Sequence, residues 1–200
     1  MNSNHPTPWT VLFLGGPSGT GKSTLAREIA LHHGAQVLEA DDIYLAVKAA
    51  ADEARFPALH YWDHGRDWQK AGLEENVDWL LEVGKELFPA LREIALRHVE
   101  DRLPVIIEGD FLNPEWISTI LGPEICALYV REPDPAQIVK NYLEREGGDP
   151  QEYRAQISVS YGERLTELCG RYGIPCIEAR PWQTAWKRAE AKLALGIQPI

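Results

Sequence analysis

The stretch FLGGPSGTGKSTLA, residues 13–26, decides the fold. Its centre, Gly16-Pro17-Ser18-Gly19-Thr20-Gly21-Lys22-Ser23, fits the spacing G-x-x-x-x-G-K-[ST]. Upstream, Val11 to Leu14 is a short apolar run of the kind that forms a buried strand. Downstream, Ser23 to His33 reads as a helix with Leu25, Ile29 and Ala30 on one side. A strand, a glycine-rich turn and a helix together give this spacing its physical meaning. The glycines permit backbone conformations that a Cβ would obstruct, so successive N–H groups can turn inward and cradle phosphate oxygens. Gly16, Ser18, Gly19, Thr20, Gly21, Lys22, Ser23 and Thr24 are therefore the expected nucleotide contacts. In this reading Lys22 reaches the terminal phosphates of ATP and the Ser23 hydroxyl meets Mg2+. A glycine-rich turn carrying a solvated lysine is the blander alternative, and both flanks argue against it.

Working outward, strands and helices alternate. Gln36 to Ala40 is a second strand candidate, followed by a helix from about Asp42 to Glu53. Arg55 to Lys70 is irregular and rich in aromatics. Leu73, Val77, Leu80, Gly84, Leu87, Leu91 and Ile94 then recur at steps of three and four, the signature of a long amphipathic helix. Val105 to Ile107, Ile125 to Val130 and Ile174 to Ile177 supply three more strands. The alternation predicts an α/β fold with a parallel sheet covered on both faces, in one domain over 1–200.

Composition limits the partners. The net charge of −10 argues against a broad nucleic-acid surface. No apolar run is long enough to span a bilayer, and residues 1–10 lack the basic start and apolar core of an export signal. Cys126, Cys169 and Cys176 form an odd set without metal-ligand spacing, which fits a reducing cytoplasm. The oligomeric state is not readable.

Acidic residues fall where strands end, which in a parallel sheet is the ligand-binding edge. Asp41 and Asp42 follow the second strand, and Glu108-Gly109-Asp110 ends the third. Such positions suit an Mg2+ contact and a group that orients an acceptor hydroxyl. The structural alternative is a helix cap, Asp41 or Asp42 before the second helix and Asp110 before the helix at Pro114.

GGPSGTGKSTLAREIA, then ADDIY, VIIEGD, and LYVREPD with a helix ending in LERE, together resemble the phosphate-loop kinases of small molecules. That group includes the nucleoside monophosphate, gluconate and shikimate kinases, chloramphenicol phosphotransferase and the zeta toxins. The likeness is strongest to proteins labelled 2-phosphoglycerate-kinase-like. It implies a five-stranded parallel sheet in the order 2-3-1-4-5, a lid near 145–156 and a helical acceptor-binding region near 42–100. It also implies roles: Asp41 activates the acceptor hydroxyl, Glu108 stands on the Mg2+ side, and Arg145 clamps the transferring phosphoryl group. Arg154 is a second lid candidate, while Arg180, beside Trp182, lies where such kinases hold the adenine. The plain alternatives are a helix-end ion pair of Arg145 with Glu144 or Glu146, and a packed core tryptophan at 182. The arginine-rich pattern of nucleotide acceptors is absent after the third strand, where Phe111-Leu112-Asn113-Pro114 stands. The gluconate kinase pattern after the second strand is absent too.

The segment RFPALHYWDHGRDWQK is the expected acceptor site. Arg55 and Arg66 would pair with an anionic acceptor, the segment's aromatics, Trp62 and Trp68 among them, would wall the pocket and exclude water, and His60, Asp42 and Asp110 are further expected acceptor contacts. The alternatives are tryptophans packed on the long helix, partly exposed histidines, and a metal held by His60 and His64 that lacks a third ligand. Together these features predict an ATP- and Mg2+-dependent phosphotransferase acting on a small hydroxylated acceptor. An NTPase coupled to a partner, or a nucleotide-binding regulator without turnover, would share the same loop.

Overall fold

A computed structural model describes residues 9–196. Residues 1–8 and 197–200 lie outside the described part, and with them most of the stretch read for an export signal and both ends of the expected 1–200 domain. The elements in chain order are β1 (Val11–Gly15), α1 (Lys22–His33), β2 (Gln36–Glu39), α2 (Ala40–Ala50), α3 (Leu73–Asp101) and β3 (Val105–Gly109). They continue with α4 (Pro114–Ser118), β4 (Ile125–Arg131), α5 (Pro135–Glu146), α6 (Glu152–Tyr172), β5 (Cys176–Glu178) and α7 (Ala185–Gly196). All five strands are parallel and ordered β2-β3-β1-β4-β5, the expected topology.

Strand chemistry explains this order. Every residue of β1 and β3 is buried, so these two lie inside the sheet, whereas β2 at one edge has exposed ends, Gln36 and Glu39, around two half-buried residues. The two-residue period splits β1 between two cores. Val11 and Phe13 face α3 and α6 together with Val105 and Ile107. Leu12 and Leu14 face α1 and α7 together with Ile106, Leu128 and Val130. Register aligns Leu14 of β1 with Glu108 of β3, and Glu108 in turn with Glu39 of β2. The strand ends thus gather acidic residues beside the glycine loop.

Several boundaries differ from the sequence reading. Helix α2 begins at Ala40, so Asp41 and Asp42 both lie in its first turn and Glu39 holds the capping position. Neither aspartate is therefore a cap. Carboxylates in a first turn still favour the helix, because they face its positive end. Helix α4 is capped by Asn113, whose side chain accepts from the Glu115 N–H, and not by Asp110. Pro114 follows at the first helical position, where a missing N–H costs nothing. Helix α3 runs on past Ile94 to Asp101 and passes through Pro89. Burial of Leu87, Phe88, Leu91 and Ala95 around that residue offsets the lost backbone hydrogen bond. Strand β5 starts at Cys176 instead of Ile174.

The segment between α2 and α3 is irregular but firmly held. Both oxygens of Glu86 accept backbone N–H groups, from Ala58 and Leu59 at 3.1 Å each. Trp79 Nε1 donates to the Ala58 carbonyl at 2.9 Å, and Tyr44 donates to that of Leu59 at 3.1 Å. Tyr153 of α6 also donates to the Ala71 carbonyl, tying the end of the segment to the start of α6.

Gly84 sits where α3 crosses the turn after β3. A Cβ there would stand 2.7 Å from the Phe111 carbonyl oxygen and 3.0 Å from Asn113 Cβ. Gly84→Ala adds helix propensity worth about 1 kcal/mol, yet the contact with main chain outweighs it. We expect a net loss of about 1–3 kcal/mol, read as a lower midpoint in urea with an unchanged slope. A stabilised variant would contradict this packing.

Candidate functional site

The phosphate loop leaves β1 at Gly15 and enters α1 at Lys22. Gly16 has φ 146°, and a Cβ on it would lie 2.2 Å from the Val130 carbonyl oxygen. It passes close over β4 and, unlike the loop residues after it, is not among those that line the cavity. Gly21 has φ 87° and turns the chain into α1 against the ring of Trp182. The loop is braced from within by Thr20, which donates to the Pro17 carbonyl at 3.0 Å. From α5, Asn141 donates to the Gly19 carbonyl at 2.7 Å. Ser18, Gly19, Thr20, Gly21, Lys22, Ser23 and Thr24 all line one cavity of about 1100 Å³.

Lys22 is buried and its ammonium pairs with Asp110. Burial alone would lower its pKa, but Asp110, Glu108 and Asp41 outweigh burial and leave it raised. Glu108, at the end of β3, is buried, with the Ser23 hydroxyl near enough to act on its carboxylate. Burial raises its pKa, against the opposing pull of Lys22 and of the Ser23 hydroxyl. Asp41 opens onto the cavity, yet the surrounding protein displaces much of the water that would solvate its charge. Its pKa is raised to about 6, first by this desolvation and next by the Asp110 carboxylate, with Lys22 opposing.

Among the described residues no group of three or more histidine, cysteine or acidic side chains is arranged to hold a metal alone. Mg2+ does not need one, since it binds through one or two hard oxygen ligands, water and phosphate. The neighbouring Ser23 hydroxyl and Glu108 carboxylate have the chemistry to hold it.

The two arginines expected in a lid, Arg145 and Arg154, share one carboxylate. Arg145 bonds Glu146, as the helix-end alternative had it, and lies over the Tyr142 ring at 5.5 Å. Arg154 bonds Glu146 at 3.0 Å, lies over the same ring at 4.3 Å and reaches the Ser18 hydroxyl at 3.3 Å. Hydrogen bonds from Gln151 and then Arg145 lower the Glu146 pKa to about 2. The expected lid is a short link between α5 and α6, in which Gly147 and Gly148 take φ of 68° and 77°. Both arginines line the cavity, as do Arg180 and Trp182 after β5. Arg180 is held 3.5 Å from the buried Glu132.

The acceptor segment divides. Trp62 and Asp110 line the cavity, but Asp42, Arg55, His60 and Arg66 do not. Arg55 lies over the Phe56 ring at 5.3 Å and Arg66 over the Tyr61 ring at 4.3 Å, because an aromatic neighbour in sequence captures each guanidinium. His60 Nδ1 meets Asp63 at 3.1 Å, and Asp63 also accepts from Lys48 at 2.7 Å. His64 pairs instead with Glu53, which separates it from His60. Residues outside the sequence reading take their place, Asn76, Trp79, Leu80, Phe111, Ile157 and Tyr161, and Trp68 of the segment itself joins them. Asn76 carried a signal, since it stands one turn from Leu73 and Leu80 on an apolar helix face.

This sheet order, with a phosphate loop between β1 and α1 and acids at the neighbouring strand ends, is the fold of the phosphate-loop small-molecule kinases. The chain belongs to the AAA domain family, whose model matches residues 11–156. It is 28% identical to a tRNA dimethylallyltransferase from Thermomicrobium roseum over 93% of this chain and 59% of that protein. It is 27% identical to a cytidylate kinase from Methylocella silvestris over 72% of this chain and 71% of that one. The chain therefore spans little more than half the length of the first of these relatives. Among solved structures, a sugar kinase from Janibacter sp. HTCC2649 superposes with a TM-score of 0.56 at 18% identity, covering 95% of this chain and 97% of its own. A gluconokinase from Sinorhizobium meliloti 1021 does so with 0.54 at 17%, covering 96% and 94%. No described helix is long and apolar enough to cross a membrane.

The acid cluster generates a direct test. The carboxyl carbon of Asp41, followed by NMR, should titrate with a midpoint of about 6. Asp110→Asn removes a raising neighbour and should move that midpoint down, toward the ordinary aspartate range near 4. A midpoint that stays put would show that Asp110 does not act on Asp41.

Proposed function

We propose that the protein is an ATP- and Mg2+-dependent phosphotransferase that moves a terminal phosphoryl group to a hydroxyl of a small molecule. A single observation carries this reading. One cavity joins the phosphate loop to Asp41, a carboxylate that ionises near neutral pH, and to an aromatic wall large enough to hold a second ligand. A bare NTPase has no use for such a wall.

The chain's residues divide the work. Lys22 leaves Asp110 for the phosphates, and the N–H groups of the loop orient them. When bound, Mg2+ supplies charge that neutralises the phosphate oxygens, and Ser23 with Glu108 would hold it. Asp41 accepts the hydroxyl proton of the acceptor, and its raised pKa suits that task near pH 7. Arg145 and Arg154 turn from Glu146 toward the charge that develops on transfer. Arg180 and Trp182 border the nucleobase. Positioning and electrostatics provide most of the rate. The kinases among the similar proteins support this class of reaction. A nucleic-acid partner, as the name of the tRNA-modifying relative would suggest, is not part of the proposal, because the chain carries a net charge of −10. The cytoplasm is the proposed location.

Incubation with γ-labelled ATP, Mg2+ and a panel of hydroxylated metabolites should place label on one chemical class. Release of phosphate alone, with no labelled acceptor, would favour an NTPase, and nucleotide binding without turnover a regulator. Asp41→Asn keeps the side chain's shape but cannot take a proton. Transfer should fall by about a hundredfold or more, while ATP affinity by calorimetry changes by less than about tenfold. In the wild type kcat/KM should rise with pH through about 6 and level off above it, since the ionised Asp41 is the active form. Full transfer by Asp41→Asn would remove the aspartate from the mechanism.

A further inference from the structure

The sequence reading gives the wall that the 51–72 segment and α3 present to the cavity both aromatics and two arginines for an anionic acceptor, and the arginines do not reach it. It holds aromatic faces and hydrogen-bond acceptors. Trp62 and Trp79 pack edge to face at 5.6 Å, Trp79 packs on Phe111 at 5.8 Å, and Trp68 joins them in lining the space.

The polar groups of this wall have largely spent their protons. Asn76 directs its amide nitrogen to the carbonyls of Trp68 and Gly72, both at 3.0 Å. What it has left is a carbonyl oxygen, which only accepts. Tyr161 donates to the main-chain oxygen of Asp110 at 2.7 Å, so its remaining capacity is also that of an acceptor. Trp79 donates to Ala58, while the Trp62 N–H is the exception: it keeps its proton without a partner, but it is buried and does not open onto the cavity. Asp41 and Asp110 are carboxylates, and Asp110 loses its ammonium partner once Lys22 turns to a phosphate. The cations of the segment are engaged elsewhere, Arg55 and Arg66 on rings and Lys70 on Asp67, and Lys48 of the preceding α2 is held by Asp63. The arginines that do line the cavity come from α1, α5, α6 and the loop after β5, and Arg154 among them reaches the phosphate loop itself.

We infer that the second ligand is a ring-bearing alcohol without negative charge and rich in N–H or O–H donors: an aminated or polyhydroxylated ring. Indole faces carry negative potential and attract ammonium groups, and they also pack against the C–H face of a ring. The spent polar groups accept the ligand's protons. A carboxylate or phosphate would meet like charge and lone pairs with few donors to replace its water. The inference rests on the proposed reaction for calling this ligand the acceptor, but its binding is testable apart from transfer.

Three probes share one skeleton: 4-aminocyclohexanol, cyclohexane-1,4-diol and 4-hydroxycyclohexanecarboxylate. Their binding to the full chain, with Mg2+ and a non-hydrolysable ATP analogue present, is measured by ligand-observed NMR. The amine and the diol should bind at least about tenfold more tightly than the acid. Trp68→Leu should weaken both by a similar factor while leaving the affinity for the ATP analogue unchanged. Equal or tighter binding of the acid, no binding of amine and diol up to their solubility, or indifference to Trp68→Leu would overturn the inference. Transfer from γ-labelled ATP to the same probes separates the two claims. Amine and diol that bind but take no label leave this inference standing and count against the kinase. An acid that both binds and takes label does the reverse.

Discussion

The ion pair between Lys22 and Asp110 is the constraint around which the rest of the site is arranged. A lysine buried at the mouth of a glycine loop needs a negative partner or it loses its proton. Asp110 supplies that partner from the end of β3, because the β1–β3 register sets Gly15 beside Gly109. The arrangement also brings Glu108 to Ser23 and crowds Asp110 against Asp41. One buried cation thus explains why three carboxylates from two strand ends can converge without forcing the fold apart.

Much of the fold was legible in the sequence because it depends on local rules. A continuous apolar run gives a central strand, and the glycine-lysine spacing between strand and helix gives the loop. The sheet order came with the family resemblance to the phosphate-loop kinases, and the structure has that order. The boundaries that moved depend on competition between neighbours. Asn113 has a proline after it and so wins the cap from Asp110. Glu39 takes the capping position of α2 and leaves both following aspartates inside the first turn.

The acceptor segment was least legible, for a physical reason. Guanidinium and imidazole groups can engage aromatic rings, carboxylates or ligands, and sequence does not say which lies nearer. Arg66 follows Tyr61 and Arg55 precedes Phe56, and in both cases the ring wins. The residues that do form the wall come from positions where helix periodicity and hydrogen bonding act together. Asn76 is the example: it is polar on an apolar stripe, and its amide joins Trp68 to the start of α3.

The clasp of Arg145 and Arg154 on Glu146 has a consequence for how the molecule meets acid. Glu146 keeps its charge down to about pH 2, whereas Asp41 is neutralised on passing below about 6. In the interval between those values, Asp41 has already given up its charge while the α5–α6 link is still fastened. Mild acidification therefore disarms the floor of the cavity without loosening its rim, and the two regions keep separate tolerances although one cavity joins them.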